Sequence, residues 1–288
     1  MAGSGPCLAG YEHFDALCRI WKASFPKDPP EAAADFLHEQ FRPGECLIHL
    51  EAGLPVSMVF MLPAEFITGS NRLPVQYIYA AATLPEYRGR GLFAGLLNAA
   101  FSQARIRGQT ASFLRPGEPG LEQYYARFGY VSFFTADIAH MDRERLSSQA
   151  GCDASVHLCP PDVSYAACRA KALQRADAFI CWGSRFSDYA ARQAYRCGGG
   201  VLTDDESGCA LCEPVGDCLM VRELICSQEK LPAFYGAIKK HFDYQAYEIR
   251  RPDRKGTGKN FGLWKPLSDA ADQIDCGRRQ PYMGLALD

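Results

Sequence analysis

The passage from Val75 to Gly108 limits most strongly what this chain can fold into. "VQYIYAAATL" is a run of aromatic, β-branched and small residues, which reads as a strand. It stops at Leu84-Pro85. "EYRGRG" follows, and then a helix from about Gly91 to Arg107, whose apolar stripe is Leu92, Phe93, Leu96, Leu97, Ala100, Phe101 and Ala104. Arg105 and Arg107 sit in the last turn, where they favour the negative end of the helix dipole, and Gly108 follows as a C-cap. A strand feeding a helix through two glycines and two arginines is a layered α/β arrangement. Its helix mouth has free N–H groups, positive charge and no side chains in the way. Those properties suit a pyrophosphate.

The rest of the first half fits the same layers. "YEHFDALCRIWKASF" places Phe14, Leu17, Cys18 and Trp21 on one helical face, and "PPEAAADFLHEQF" is a second helix. "ECLIHLEAGLPVSMVFMLPAEFI" reads as two antiparallel strands around a turn at 51–54. After the glycine-arginine helix come a strand ("QTASFLRP"), a short helix ("GLEQYYARF") closed by Gly129, and a strand ("YVSFFTADIAHM"). The order is α-α-β-β-β-α-β-α-β. The polar segment "DRERLSSQAGCDAS" reads as a boundary, giving domains 1–150 and 151–288. The second half reads as two helices, three strands over about 200–225, a helix over 229–241 and two more strands.

The totals exclude several function classes. At 288 residues, 48% hydrophobic and a net charge of −2, the chain is globular and lacks the basic balance that nucleic acid would demand. No stretch suits a bilayer, and the N-terminus lacks the pattern of a secretory signal, so the expectation is a cytoplasmic protein that uses no membrane. The 13 cysteines are expected as reduced, buried thiols. Cys209-Ala-Leu-Cys212 has a metal-like spacing, but neither a second pair nor histidines at matching spacing follows it, and no metal is expected. The six histidines form no His-x-x-x-His pair, and no Gly-x-Ser-x-Gly elbow is present.

Two ligands compete for the glycine turn. "GRGLFA" matches the dinucleotide pattern G-x-G-x-x-A. Against that, Pro85-Glu-Tyr-Arg separates strand from glycines, and Arg115 ends the next strand where a ribose-binding acid is needed. "AATLPEYRGRGLFAGLL" instead resembles the acyl-CoA motif of the GNAT N-acetyltransferases, Arg/Gln-x-x-Gly-x-Gly/Ala. Arg88 and Gly91 fit it, and Phe93 departs from its last position. Downstream, Tyr125-Ala-Arg-Phe-Gly129-Tyr130 is similar to that family's Tyr-x-x-x-Gly-Phe/Tyr. The resemblance covers about residues 10–140. Within the family it is closest to the Eis-type (enhanced intracellular survival) branch, which joins an active GNAT half to a degenerate one. The expected fold is therefore a mixed-sheet α/β protein with two GNAT-like domains in tandem.

The resemblance implies transfer of an acetyl group from acetyl-CoA to a primary amine of a small polar molecule, amino sugar or peptide. The alternative is a non-catalytic acyl-CoA-binding regulator. Ala81, Ala82 and Thr83 would pair with the pantetheine arm. Arg88, Gly89, Arg90, Gly91, Leu92, Phe93 and Ala94 would hold the pyrophosphate, and Gly120 and Leu121 would lie beside the cofactor. Tyr125 would be the general acid, with Tyr124 as its alternative. The family's usual base position falls at about Tyr77, on a strand with no carboxylate. Eis-type enzymes are understood to use the terminal carboxylate. Here the apolar tail "PYMGLALD" would deliver that of Asp288. Eis-type relatives also imply a homo-oligomer, about which the motif residues say nothing.

Overall fold

The computed structural model describes residues 4–118, 120–151, 155–174, 176–274 and 280–286. The chain divides into two compact units that alternate along the sequence. Unit 1 comprises Met1–Glu65, Leu73–Leu114 and Trp264–Ile274, and unit 2 the remainder.

Unit 1 carries strands β1 (Gly5–Leu8), β2 (Cys46–Glu51), β3 (Leu54–Thr68), β4 (Asn71–Thr83) and β5 (Ala111–Leu114), side by side in that order. The last residues of β3 and the first of β4 belong to unit 2 with the turn between them. β1 and β3 run antiparallel to β2, and β5 runs parallel to β4. Ala52 (φ 49°) and Gly53 (φ 82°) make the β2–β3 turn, the double left-handed pair whose twist matches that of the strands. Helices α1 (Phe14–Ser24), α2 (Ala32–Gln40) and α3 (Leu92–Ile106) cover the sheet.

An aromatic cluster joins these layers. Phe36 of α2 packs 5.3 Å from Trp21 of α1, 5.2 Å from Phe60 of β3 and 5.1 Å from Tyr79 of β4, centroid to centroid. The Trp21 indole N–H donates to Asp28 Oδ2 at 2.7 Å, so its one polar atom is satisfied. α3 buries Leu96, Leu97, Ala100, Phe101 and Ala104 and packs on β1, β2 and β5. It stops at Gly108 (φ 69°), whose N–H bonds the Arg105 carbonyl. The segment after Trp264 completes the unit: the Leu267 N–H donates to the Thr110 carbonyl at 2.8 Å.

Unit 2 carries α4 (Leu121–Ala126), β6 (Val131–Asp142), α5 (Arg143–Gln149), β7 (His157–Leu158), α6 (Tyr165–Ala172), β8 (Ala178–Cys181), α7 (Gly183–Arg196), β9 (Gly200–Thr203), β10 (Cys209–Val215), β11 (Cys218–Ile225), α8 (Leu231–His241), β12 (Ala246–Pro252) and most of β13 (Lys259–Pro266). A last helical turn, α9 (Asp269–Asp272), belongs to unit 1. The strand order is β13-β6-β12-β11-β10-β9-β7. β10 and β11 form an antiparallel hairpin, and α8 then returns the chain to β12, parallel to β11. α5 and α8 supply Leu146, Phe234 and Ile238 to a core with Leu202, Val221, Tyr247 and Ile249.

The elements not expected from the sequence are β1, α5, β7, β8 and α9. β1 contains Gly5 and Pro6, residues that weaken a strand signal, and exists through its pairing with β2. α5 lies in the stretch read as polar and turn-rich. The Asp142 carboxylate caps it by accepting the Arg145 N–H at 2.7 Å, and Leu146 alone is buried. β8 is four residues long, too short for its alternation to show. The structure is a mixed α/β fold with a mixed sheet, as expected.

Within unit 2, a buried charge cluster holds segment 280–286. Glu223 of β11 is 0% exposed. It accepts from Tyr165 Oη (2.5 Å) and Arg169 Nε (2.7 Å) on Oε1, and from Tyr282 Oη (3.1 Å) on Oε2. Arg169 spends its other nitrogens on the carbonyls of Ile180 (2.8 Å) and Met283 (3.5 Å), and Trp182 Nε1 also donates to Met283 O (3.0 Å). Backbone bonds between Tyr282 and β8 complete the attachment. Tyr282, Met283, Leu285 and Ala286 are all buried.

Candidate active site

The residues singled out in the sequence fall into two groups, one in each unit. In unit 1 they line the passage from β4 to α3. The ladder between β4 and β5 pairs Val75 with Ala111, Gln76 with Ser112 and Tyr77 with Phe113, and goes no further, while β4 runs on to Thr83. Ala80 lies just past that point with φ 45°, a left-handed conformation rare for a residue with a Cβ. It marks a local break in the strand, of the kind that re-aims backbone groups. Ala81 and Thr83 beyond it are partly exposed and Ala82 is buried. The parting of β4 from β5 frees the Ala81–Thr83 edge from the parallel ladder, as pairing with an extended ligand arm requires.

The end of β4 is pinned from two sides. The buried Ser57 hydroxyl of β3 lies 2.8 Å from Ala82 O and 2.7 Å from Thr83 Oγ1. Arg88 Nε donates to Thr83 O at 3.0 Å. Ser57 was not singled out in the sequence, and its only signal there is a small polar residue inside the apolar run "VSMVFML".

The turn itself is exposed. Gly89 (φ 75°) and Gly91 (φ 74°) are both left-handed, and Gly91 is the N-cap of α3. A Cβ on either would meet nothing within 4 Å. Backbone geometry, not crowding by the protein, thus demands glycine here, and the space above the turn is open to a ligand. No side chain caps α3, and its first turn holds no acid. The first N–H groups of a helix have no partner within it, and those of the fifteen-residue α3 stand at the positive end of its dipole. Arg90 bonds the Glu86 carbonyl at 3.1 Å and stacks 5.0 Å over the Tyr87 ring, which keeps its charge beside the turn. An anion with several oxygens fits this donor set.

In unit 2, Gly120 (φ 89°) caps α4 and Leu121 begins it. Tyr125 faces inward, 9% exposed, with its ring edge-on to Tyr130 at 5.7 Å. Its carbonyl accepts the N–H groups of Phe128 and Tyr130, and Gly129 (φ 83°) makes the reversal that lets Tyr130 return. Burial, and secondarily the neighbouring Tyr124, push the Tyr125 phenol up to about 12. It therefore stays protonated throughout the neutral range. Tyr124 is only partly buried, with Arg127 stacked 4.7 Å over its ring. Tyr77, at the family's usual base position, is packed between Tyr79 and Phe113 in the core. Asp288 lies outside the described residues. Among the described residues no group of histidines, cysteines and acids could hold a metal ion, and no helix is long and apolar enough to cross a membrane.

Residues 8–132, the part of the chain that holds the parted strands and the glycine turn, match the family model of the acetyltransferase (GNAT) domain. Solved structures share the fold across more than that segment. A GCN5-related N-acetyltransferase from Anabaena variabilis superposes with a TM-score of 0.75 at 13% identity, over 92% of this chain and 73% of that one. Eis1 from Mycobacterium abscessus gives 0.67 at 16%, over 92% and 74%. A GCN5-related N-acetyltransferase from Kribbella flavida gives 0.67 at 17%, over 91% and 72%. Identities this low establish likeness of fold. None of the curated proteins matches the chain.

Proposed function

We propose that the protein transfers an acetyl group from acetyl-CoA to a primary amine of a small polar molecule, amino sugar or peptide. The observation that carries this reading is the left-handed Gly89–Gly91 turn at the uncapped mouth of α3, placed where β4 has left β5. Main-chain N–H groups from Gly89 to Ala94, with Arg88 and Arg90, hold the pyrophosphate. The Ala81–Thr83 edge pairs with the pantetheine arm and polarises the thioester carbonyl, and Gly120 and Leu121 lie beside the cofactor. The amine attacks that carbonyl, the C–S bond breaks, and the leaving thiolate takes its proton from Tyr125. The amine proton goes to the terminal carboxylate of Asp288. Positioning supplies much of the acceleration.

The arrangement of unit 2 supports an Eis-type reading with tandem GNAT-like halves. β11, α8 and β12 repeat the strand, helix and parallel strand of β4, α3 and β5. The link corresponding to the glycine turn, 226–230, is "CSQEK", with no glycine and no arginine. The second half is thus a degenerate copy that lacks an anion-binding mouth.

Thiol release from acetyl-CoA, screened over polyamines, amino sugars, amino acids and peptides, tests the activity. Wild type should release thiol with at least one amine. Tyr125→Phe should cut turnover by roughly 10²-fold or more, the range of general acid catalysis, with CoA affinity kept. Coenzyme binding without release across the whole panel would favour the non-catalytic regulator. A thermal shift with NADPH and none with CoA would favour a dinucleotide enzyme. Removing the last three residues should lower turnover strongly and leave CoA affinity nearly intact. Unchanged turnover would remove the tail from the mechanism.

A further inference from the structure

From Ala81 to Thr83, β4 has left β5 and keeps β3 as its neighbour in the sheet order. Two bonds reach β3 there, one before and one after Thr83 along the chain. The Ser57 hydroxyl donates to Ala82 O at 2.8 Å, and Val56 O accepts the Leu84 N–H at 2.9 Å. A trans peptide points its C=O and its N–H in opposite directions, and among the described residues every peptide is trans. Holding Ala82 O toward β3 therefore turns the Thr83 N–H away from it. Holding the Leu84 N–H toward β3 turns Thr83 O away likewise, and there Arg88 Nε donates to that oxygen at 3.0 Å. The far side is the edge that β5 has left, and Thr83 presents its N–H to it.

Two hydroxyls lock this arrangement. Ser57 has one hydroxyl proton, and Ala82 O receives it. The 2.7 Å contact between Ser57 Oγ and Thr83 Oγ1 therefore takes its proton from Thr83. The relay runs from the Thr83 side chain through Ser57 to the carbonyl that shares a peptide with the Thr83 nitrogen. Side chain and main chain of one residue are thus tied to the same oxygen. That oxygen has little freedom. Ser57 is 0% exposed, lies opposite His49 in the β2–β3 ladder, and sits between Val56 and Met58, both buried. Without the hydroxyl, the buried Ala82 carbonyl loses its donor and the peptide turns toward another. The Thr83 N–H turns with it.

We propose that Ser57 is a positioning residue of the coenzyme site: its hydroxyl fixes the Ala82–Thr83 peptide so that the Thr83 N–H is aimed at the pantetheine arm. The assignment rests on the acetyl-CoA reading above. Ser57 meets no ligand atom and acts only through the peptide. The arm carries amide carbonyls, which accept such an N–H. The pyrophosphate is gripped elsewhere, at the mouth of α3, so the influence of Ser57 is confined to the arm.

That confinement supplies the test. The full chain is titrated calorimetrically with acetyl-CoA and with 3′-phospho-ADP, the nucleotide half of the coenzyme, which has the pyrophosphate and no arm. Wild type should bind acetyl-CoA more tightly than the nucleotide half. Ser57→Ala should weaken acetyl-CoA about tenfold, the worth of roughly one hydrogen bond, and leave the nucleotide half unchanged. A general loosening of the fold would weaken both alike. Equal losses for the two ligands, or no loss for acetyl-CoA, overturn the role of Ser57 and leave the coenzyme reading standing. A wild type that binds neither ligand overturns the coenzyme reading and this role with it. Should Ser57→Ala not fold, Ser57→Cys, close in volume with a weaker donor, takes its place under the same expectation.

Discussion

Gly91 carries the most weight for its size. Its φ of 74° is costly for any side chain, although a Cβ there has open space on every side. Gly91→Val should therefore disturb the mouth of α3 while leaving the buried face of the helix intact. Affinity for CoA should fall at least tenfold, about 1.4 kcal/mol, as read by isothermal titration. Unchanged affinity would place the coenzyme elsewhere. At this scale the sequence was informative where a residue type has few reasons to occur. Paired glycines before an apolar stripe, and a tyrosine in register with a later glycine, are such cases. Ala80 and Ser57 carried no comparable signal. An alanine can occupy any conformation its surroundings impose, and a serine in a strand discloses nothing of the carbonyl it will bond.

Among the elements, β11 depends on charge as much as on apolar packing. Glu223 sits at full burial with Arg169, Tyr165 and Tyr282 as donors. Glu223→Ala would leave the Arg169 guanidinium buried without its counter-charge, a loss of about 3–5 kcal/mol. Chemical denaturation should show it as a lower midpoint with an unchanged slope. Replacing Arg169 and Glu223 together by methionine and leucine should recover much of that loss. The long amphipathic elements were legible because periodicity accumulates along them: α3 and the β10–β11 hairpin appear where their patterns put them. β1, α5 and β8 were not, because each is short and is held in place by distant partners. The attachment of segment 280–286 was likewise hidden. An apolar tail suggests burial, but only the fold supplies the carboxylate that receives Tyr282.

For the molecule as a whole, buried acids that stay neutral set the alkaline limit. Burial raises the phenols of Tyr125, Tyr165 and Tyr282 above their ordinary value near 10, and raises the thiols of Cys46 and Cys212 above theirs near 8.5. Above those ordinary values the unfolded chain has already released protons that the folded chain retains. The unfolded state then binds fewer protons, and stability falls as pH rises. The stabilisation is complete below about pH 8.5, declines first through the thiols and declines further through the phenols above about pH 10. Melting temperature against pH, with phenolate absorbance followed in parallel, should trace both stages. A flat profile to pH 11 would contradict the burial of these groups.

The alternation of the two units along the chain bears on how the protein is made. Unit 1 needs Trp264–Ile274, and the Glu223 cluster needs Tyr282. During synthesis neither unit has its full set of contacts until the ribosome has released those late segments. The Thr110 carbonyl, which receives the Leu267 N–H, and the charge at Glu223 wait, incomplete, until those segments emerge. Nascent chains stalled before residue 264 should engage chaperones and yield to proteases, and resistance should arrive abruptly once residues 264–286 have emerged.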